Sequence, residues 1–414
     1  MDSIPSLILS CFAPSIKSIF IIVICIIVFY YAWYYVTEWR KLNHKNKIDK
    51  QCQNLSPNET IFISIINNQN TEECAKTVFD LFEKAYCPFR LSVGIVQYVK
   101  YDMFGDNSDY FLEYYKKISQ NGNNNFSDRI RIISQDISEY KGTYPARHII
   151  ETKLFKGEKF YMIIGNKMMF VPNWDQKLVE EWGRCIKQSS KPILTSYPED
   201  FKPHNRSFTP ENFGFANGSY LRFKNFGNDN DINLIEIEGV NFIRKPSYPM
   251  PGLFWSSIFS FGLSKVIEDV PFDPNLEGID NDFLMGIRLW TNGYDFYHPT
   301  TSFIYYMWDE DNNHNINIPI SIETINRIKT LLGYSSTSTL IPPYGLGIFR
   351  SLSDYQLFIG VNVKSKTMTS LSGVLGVEDG SEATAILCRF GSWKNFEKLK
   401  TILIKTLYGS GSGS

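Results

Sequence analysis

Asp280 and Asp282 stand two residues apart at the start of a stretch that continues through Arg288-Leu-Trp290-Thr. A carboxylate at such a helix start, Asp282 above all, can position an acceptor hydroxyl. The same positions also serve structure, because an Asp there can cap the helix or complement its dipole. Both readings stand for Asp280 and for Asp282. The pair sits in a longer block, with the turn Phe272-Asp-Pro-Asn-Leu276 before it and Gly293-Tyr294-Asp-Phe-Tyr-His298-Pro299 after it. That order of turn, acidic cluster, Arg/Trp helix and strand entry suits the acceptor side of a group transfer. Trp290 and Tyr294 could stack on a sugar face, although Trp290 suits core packing better. His298 reads as a strand-end packing residue.

A second group lies where an α/β sheet would bind a ligand, beyond the C-terminal ends of its strands. The turn after Ile164 reads Gly165-Asn166-Lys167. Paired carboxylates there would hold Mn²⁺ or Mg²⁺ against a diphosphate. This turn has none, so no metal ligand is assigned, and a divalent cofactor is not expected. Lys167 can neutralise a diphosphate as a point charge, with Asn166 beside it. The competing reading is a site that has lost its carboxylates together with its chemistry. Arg147 can pair with Glu151 one turn away. Asp309-Glu310-Asp311 reads as a solvated acidic loop rather than a replacement metal site.

The elements that must position these residues alternate. Ile61–Ile66, Leu91–Val96, Ile130–Ile133 and Lys159–Ile164 are apolar runs suited to buried parallel strands. Helical spacing falls over Cys74–Ala85, Tyr110–Ile118 and Ala146–Phe155. The alternation predicts an α/β fold with a mostly parallel sheet and flanking helices. No G-x-G-x-x-G follows the first strand, and Walker, H-E-x-x-H and G-x-S-x-G motifs are absent.

The 414 residues carry a net charge of −1, which gives no electrostatic footprint for nucleic acid. The seven cysteines form no C-x-x-C, so neither zinc nor a disulfide framework is indicated. Residues 19–36 form an uncharged apolar run, roughly 27 Å as a helix, with Tyr and Trp crowded at its C-terminal end. It reads as a signal-anchor in a lipid bilayer, after an N-terminal tail at 1–18 and before a polar stem at 37–58. Arg40, Lys41, Lys45, Lys47 and Lys50 follow the run, and this bias places the C-terminal side in the cytosol. An ER or Golgi lumenal location is the alternative, and the sequons at Asn54, Asn58, Asn125, Asn205 and Asn217 do not decide between them. The main domain is expected over 59–363. A strand at Ala383–Arg389 and an amphipathic helix at Trp393–Leu407 are expected in an extension at 364–408, and 409–414 reads as a flexible tail.

Several segments, taken in order, resemble one family. They are Leu81-Phe-Glu-Lys-Ala85, Gly142-Thr-Tyr-Pro-Ala146-Arg147, Gly157-Glu-Lys-Phe-Tyr161 and Phe170-Val-Pro-Asn-Trp-Asp175. They continue with Val270-Pro-Phe-Asp-Pro274, Arg288 to Phe296, Tyr344-Gly-Leu-Gly347, Arg350-Ser-Leu with Tyr355, and Gly360-Val. Over roughly 59–363 the chain resembles the hydroxyproline N-acetylglucosaminyltransferases, which have relatives in eukaryotes and large DNA viruses. The resemblance implies a GT-A fold, a UDP-sugar donor and a hydroxyl acceptor on a protein or glycan. It also implies donor contacts at Arg147, Asn166 and Lys167, and acceptor-side or catalytic roles for Asp280, Asp282, Trp290 and Tyr294. The departures are as specific. The family's D-S-H is Gly165-Asn166-Lys167 here, its G-E-E is Asp280-Asn281-Asp282, its late His aligns with Tyr306, and its Y-R-D gives way to Asn68-Gln69-Asn70. Three functions therefore remain open: a transferase with altered motifs, a pseudoenzyme that binds a glycan or protein, or a structural membrane protein that keeps only the fold.

Overall fold

The structure, a computed structural model, describes residues 16–53, 55–56, 58–100, 108–119, 125–201, 218–227, 234–242, 245–307, 318–334 and 343–368. The chain divides into two compact units, Met1–Asn54 and Leu55–Ser414.

The described residues of the first unit form one helix, α1 (Ile16–Gln53). Without Pro or Gly to stop it, the apolar run continues into the Lys- and Asn-rich segment, so the stem is helical through Gln53. The side chains of Ile21 to Val36 are exposed, among them Ile26, Phe29 and Tyr35. Among the described residues no helix is long and apolar enough to cross a membrane. The span expected over 19–36 is therefore not established by the fold.

The second unit is built on an eight-stranded sheet. In chain order its strands are β1 (Ile61–Asn68), β2 (Leu91–Val99), β3 (Ile130–Asp136), β4 (Phe160–Ile164), β6 (Pro192–Thr195), β10 (Met250–Gly252), β11 (Phe259–Leu263) and β12 (Asp295–His298). Their spatial order is β10-β12-β6-β11-β4-β1-β2-β3. The half from β4 to β3 is parallel, as the sequence predicts. β11 runs antiparallel to both β4 and β6, so the sheet is mixed. A small sheet joins β5 (Met168–Phe170), β7 (Glu199–Asp200) and β13 (Ile304–Tyr306). Two hairpins complete the described strands: β8 (Ser219–Phe226) with β9 (Ile235–Asn241), and β14 (Val361–Asn362) with β15 (Thr367–Met368).

Alternation along the strands splits the core into two layers. Ile61, Ile63, Ile65, Val93, Ile95, Met162 and Ile164 pack with α2 (Thr71–Glu83), α3 (Ser108–Ser119) and α5 (Trp174–Cys185). Phe62, Val96, Tyr161 and Ile163 face the other layer, with α4 (Thr143–Ile149), α7 (Asp282–Thr291), α8 (Ile322–Leu331) and α9 (Leu352–Ile359). One short helix, α6 (Lys265–Asp269), follows β11.

Three readings are revised. The helix expected over Ala146–Phe155 is α4 followed by a separate π-turn at Ile150–Leu154. The short strands β6 and β11 carry no strong apolar pattern and were not anticipated. Cys52 and Cys87 are each in a disulfide bond, where the sequence indicated no disulfide framework. The strand and helix expected at 383–407, the tail at 409–414 and the acidic loop at 309–311 lie outside the described residues.

Candidate active site

The parallel register sets Ile65 of β1 level with Ile95 of β2 and Ile164 of β4. Asn67, Asn68 and the turn Gly165–Lys167 therefore share the C-terminal edge. Asn166 Nδ2 donates to Asn67 Oδ1 at 3.1 Å. The Thr77 hydroxyl donates to Asn166 O at 2.9 Å and accepts from Met168 N at 2.9 Å, locking the turn from α2. Lys167 is buried in it, and its carbonyl accepts from Met307 N. Tyr306 covers Gly165, where an added Cβ would lie 2.8 Å from the phenol ring. Only glycine permits that approach. Buried Asn67 Nδ2 and Asn68 Oδ1 have no hydrogen-bond partner, so the edge keeps an unused donor and acceptor.

The turn offers two amides, an ammonium and a phenol. Such groups do not supply the hard, anionic oxygen set that Mn²⁺ or Mg²⁺ requires. Among the described residues no three His, Cys, Asp or Glu side chains group to hold an ion. The residues present do not fit the divalent metal that the family resemblance implies.

Arg147 lies just beneath this edge. Its Nη1 donates to Ser64 O at 2.7 Å and Ser64 Oγ at 2.8 Å, and its Nη2 donates to Ile164 O at 3.1 Å. The guanidinium thus clamps β1 to β4 one residue short of Gly165. Its Nε has no partner. Burial pulls the Arg147 pKa down, opposed by Tyr161, Glu151, Asp280 and Asp282 around it. Glu151 accepts from Phe272 N at 3.0 Å.

The two aspartates reach the same edge. Asn281 caps α7, its Oδ1 accepting from Phe283 N at 3.1 Å, which leaves the flanking carboxylates to other partners. Asp282 Oδ1 accepts from Ser257 N at 3.0 Å. Ser257 lies two residues before Phe259, the partner of Ile164 across β11 and β4. The Asp282 carboxylate is therefore held beside the end of β4. Burial pushes its pKa up to about 6, and the charge of Asp280 adds to this against hydrogen bonds from Ser257 and Ser256. Asp280 opens to solvent within a recess. The protein around it raises its pKa, with the Thr143 hydroxyl and Arg147 opposing. Tyr144, one residue on from Thr143, donates its hydroxyl to Asn281 O at 2.9 Å.

Trp290 and Tyr294 are not brought to this edge. Trp290 is 1% exposed and packs on Tyr355 and Phe358, with Arg350 at 4.8 Å from its ring. The Tyr294 hydroxyl donates to Asp269 Oδ2 at 2.9 Å. α7 carries them away, rising about 1.5 Å per residue from Asp282. His298 is buried between Leu221 N, which donates to its Nε2 at 3.3 Å, and Thr195 O, 2.8 Å from its Nδ1. That pair of contacts fixes the tautomer with the proton on Nδ1, and burial pulls its pKa down to about 4. The sequence gave no hint of Ser256 and Ser257, because the strand that places them, β11, is interrupted by Ser260 and Gly262.

No curated protein matches the chain. Among solved structures it is similar to a mannosyltransferase, PcManGT, from Pyrobaculum calidifontis in complex with GDP-Man and Mn²⁺. That similarity has 10% identity and a TM-score of 0.35, over 89% of this chain and 95% of that one. It is also similar to S. aureus TarS 1–349 in complex with UDP-GlcNAc, at 10% identity and a TM-score of 0.37, over 67% of this chain and 68% of that one. The sequence model of the glycosyltransferase (GlcNAc) family matches residues 104–365, which include Arg147, Lys167, Asp280 and Asp282. With well over half its length matched, the chain belongs to the GlcNAc glycosyltransferase family.

Proposed function

We propose that this glycosyltransferase moves N-acetylglucosamine, or a similar sugar, from a UDP-sugar to a hydroxyl acceptor without a divalent ion. Hydroxyproline is the acceptor that the sequence resemblance favours. The observation that carries the reading is the Asp282 carboxylate, held by Ser257 N beside the end of β4. With a pKa of about 6 it is mostly ionised at neutral pH and able to accept a proton from an incoming hydroxyl. Asp280, open to solvent beside it, orients that hydroxyl. Lys167 supplies positive charge for the departing diphosphate as a point charge. Arg147 adds positive charge from beneath while holding the two strands together.

One test is sugar release and transfer by the full chain in detergent from UDP-GlcNAc, UDP-glucose and UDP-galactose, with Mn²⁺ or with EDTA. Turnover that survives EDTA and is lost in Asp282→Asn is the expected result. Turnover that requires Mn²⁺ would overturn the metal-free reading. A second reading, a pseudoenzyme that binds a glycan or protein, is favoured by the Asn166–Asn67 bond, which occupies polar groups a donor would otherwise use. It requires that no UDP-sugar binds.

We also propose that α1 anchors the chain in a bilayer. The exposed apolar side chains from Ile21 to Val36 support this. The basic residues after the run favour a cytosolic domain. The disulfide-bonded state of Cys52 and Cys87 favours an oxidising lumen, and we adopt the lumenal placement.

A further inference from the structure

Behind the site lies a buried acid that the proposed chemistry does not use. Glu151 sits in the π-turn Ile150–Leu154, where Phe155 N bonds back to Ile150 O at 3.2 Å. Single π-turns inside helices recur at functional positions. Glu151 is 5% exposed. Tyr161 of β4 is also buried, and its hydroxyl has no hydrogen-bond partner of good geometry. Ser64 and Glu151 lie close enough to influence its titration all the same. A cavity of about 20 Å³ borders Glu151, Tyr161 and Ser260. That space admits one water molecule, with three polar groups around it. Ser260 Oγ accepts from Trp255 Nε1 at 2.9 Å, so its own O–H can still donate.

The charged and titratable groups around Glu151 come from every side: Arg147 from α4, Tyr161 from β4, Arg288 from α7, and Tyr344 with Asp273 beyond it. Neither arginine makes a paired salt bridge with Glu151. Arg147 is hydrogen-bonded to Ser64 and Ile164. Arg288 donates to Pro271 O, Pro343 O and Met285 Sδ. Glu151 is thus a buried carboxyl that accepts from the Phe272 amide and has the Tyr161 hydroxyl within reach. Its burial pushes the pKa up to about 8.

We propose that Glu151 and Tyr161, bridged by one water, position the Arg147 clamp and with it the donor end of β1 and β4, and that ionisation of Glu151 undoes this. The inference rests on the reading of that edge as a donor site. Once ionised, Glu151 attracts the guanidinium one turn away, whose Nε is unused. Arg147 is then drawn off Ser64 O and Ile164 O. The turn Gly165–Lys167 loses its support, and donor affinity falls.

The test uses the full chain in detergent and UDP as the probe, with calorimetry from pH 6 to 9. Wild-type affinity should fall about tenfold between pH 7 and pH 9, the change expected for one unit of titration above the transition. Glu151→Gln, a neutral isostere, should match the wild type at pH 6.5 and stay flat above it. Tyr161→Phe should bind UDP more weakly at every pH. Parallel pH profiles for wild type and Glu151→Gln would overturn the proposal. A second readout does not need the donor: the melting temperature of Glu151→Gln should gain on that of the wild type as pH rises from 5.5 to 8.5. If UDP binds at no pH, the donor-site reading fails and this proposal with it. If UDP binds but the difference in melting temperature stays constant, the Glu151 role alone is rejected.

Discussion

Asn166 Nδ2 donates to Asn67 Oδ1 across the ends of β4 and β1, 3.1 Å apart. Two neutral amides thus meet at the C-terminal edge of the sheet. Tyr306 covers the adjacent Gly165. Asn68, Gly165, Asn166, Lys167 and Tyr306 therefore converge on one edge, to which they bring amides, an ammonium and a phenol but no carboxylate.

Divalent metal should then leave nucleotide binding unchanged. Titration of UDP into the full chain should give the same affinity, within about twofold, in Mn²⁺ and in EDTA. Lys167→Ala should cost about 1.5–3 kcal/mol of UDP affinity, the range for hydrogen bonds to charged groups. Tighter binding in Mn²⁺ would mean that ligands from outside the described residues complete a metal site.

On the proposed function, Asp282 sets the acid limb of turnover. Its pKa lies at about 6, so the carboxylate is ionised above that pH and protonated below it. The turnover rate should fall by about tenfold per unit as pH drops below 6. Asp282→Asn should lower turnover far more than it weakens UDP binding. An Asn variant that keeps the wild-type rate would remove Asp282 from the chemistry.

His298 makes stability depend on acid. Folding holds it neutral with a pKa of about 4, against an ordinary value of 6.5. Between those values the unfolded chain binds a proton that the folded chain does not. Stability is therefore full above pH 6.5 and declines as pH falls towards 4, by up to ~3 kcal/mol. In His298→Asn, whose amide can still donate to Thr195 O, this share of the pH dependence should vanish from thermal unfolding curves. An unchanged acid slope in that variant would assign the effect to other groups.

Topology can be read in sealed microsomes. With the domain in the lumen, added protease should leave it intact, and reducing agent should change its gel mobility. Digestion from outside would place it in the cytosol, as the basic residues after the apolar run suggest.

The parallel half of the sheet was legible because β1, β2 and β4 are continuous apolar runs, the pattern of strands buried on both faces. The antiparallel half was not. β11 is five residues long and contains Ser260 and Gly262, and its direction depends on pairings far away in the chain. The site was legible in part. Arg147, Lys167, Asp280 and Asp282 could be singled out, and they do gather at one edge. Trp290 could not be separated from the core, since a buried aromatic and a sugar platform look alike in sequence. The π-turn at Glu151 left no trace, because one extra residue per turn barely disturbs helical periodicity.

β11 fixes a distance as well as a direction. It is paired to β4 on one side and β6 on the other, and it ties Ser257, and through it Asp282, to the end of β4. A slip of one residue in that pairing would move the Ser257 amide by about 3.4 Å and turn its neighbours to the opposite layer. The pairing of β11 thus sets how far the Asp282 carboxylate stands from the end of β4, and a change elsewhere in the chain that leaves this register alone leaves that spacing alone.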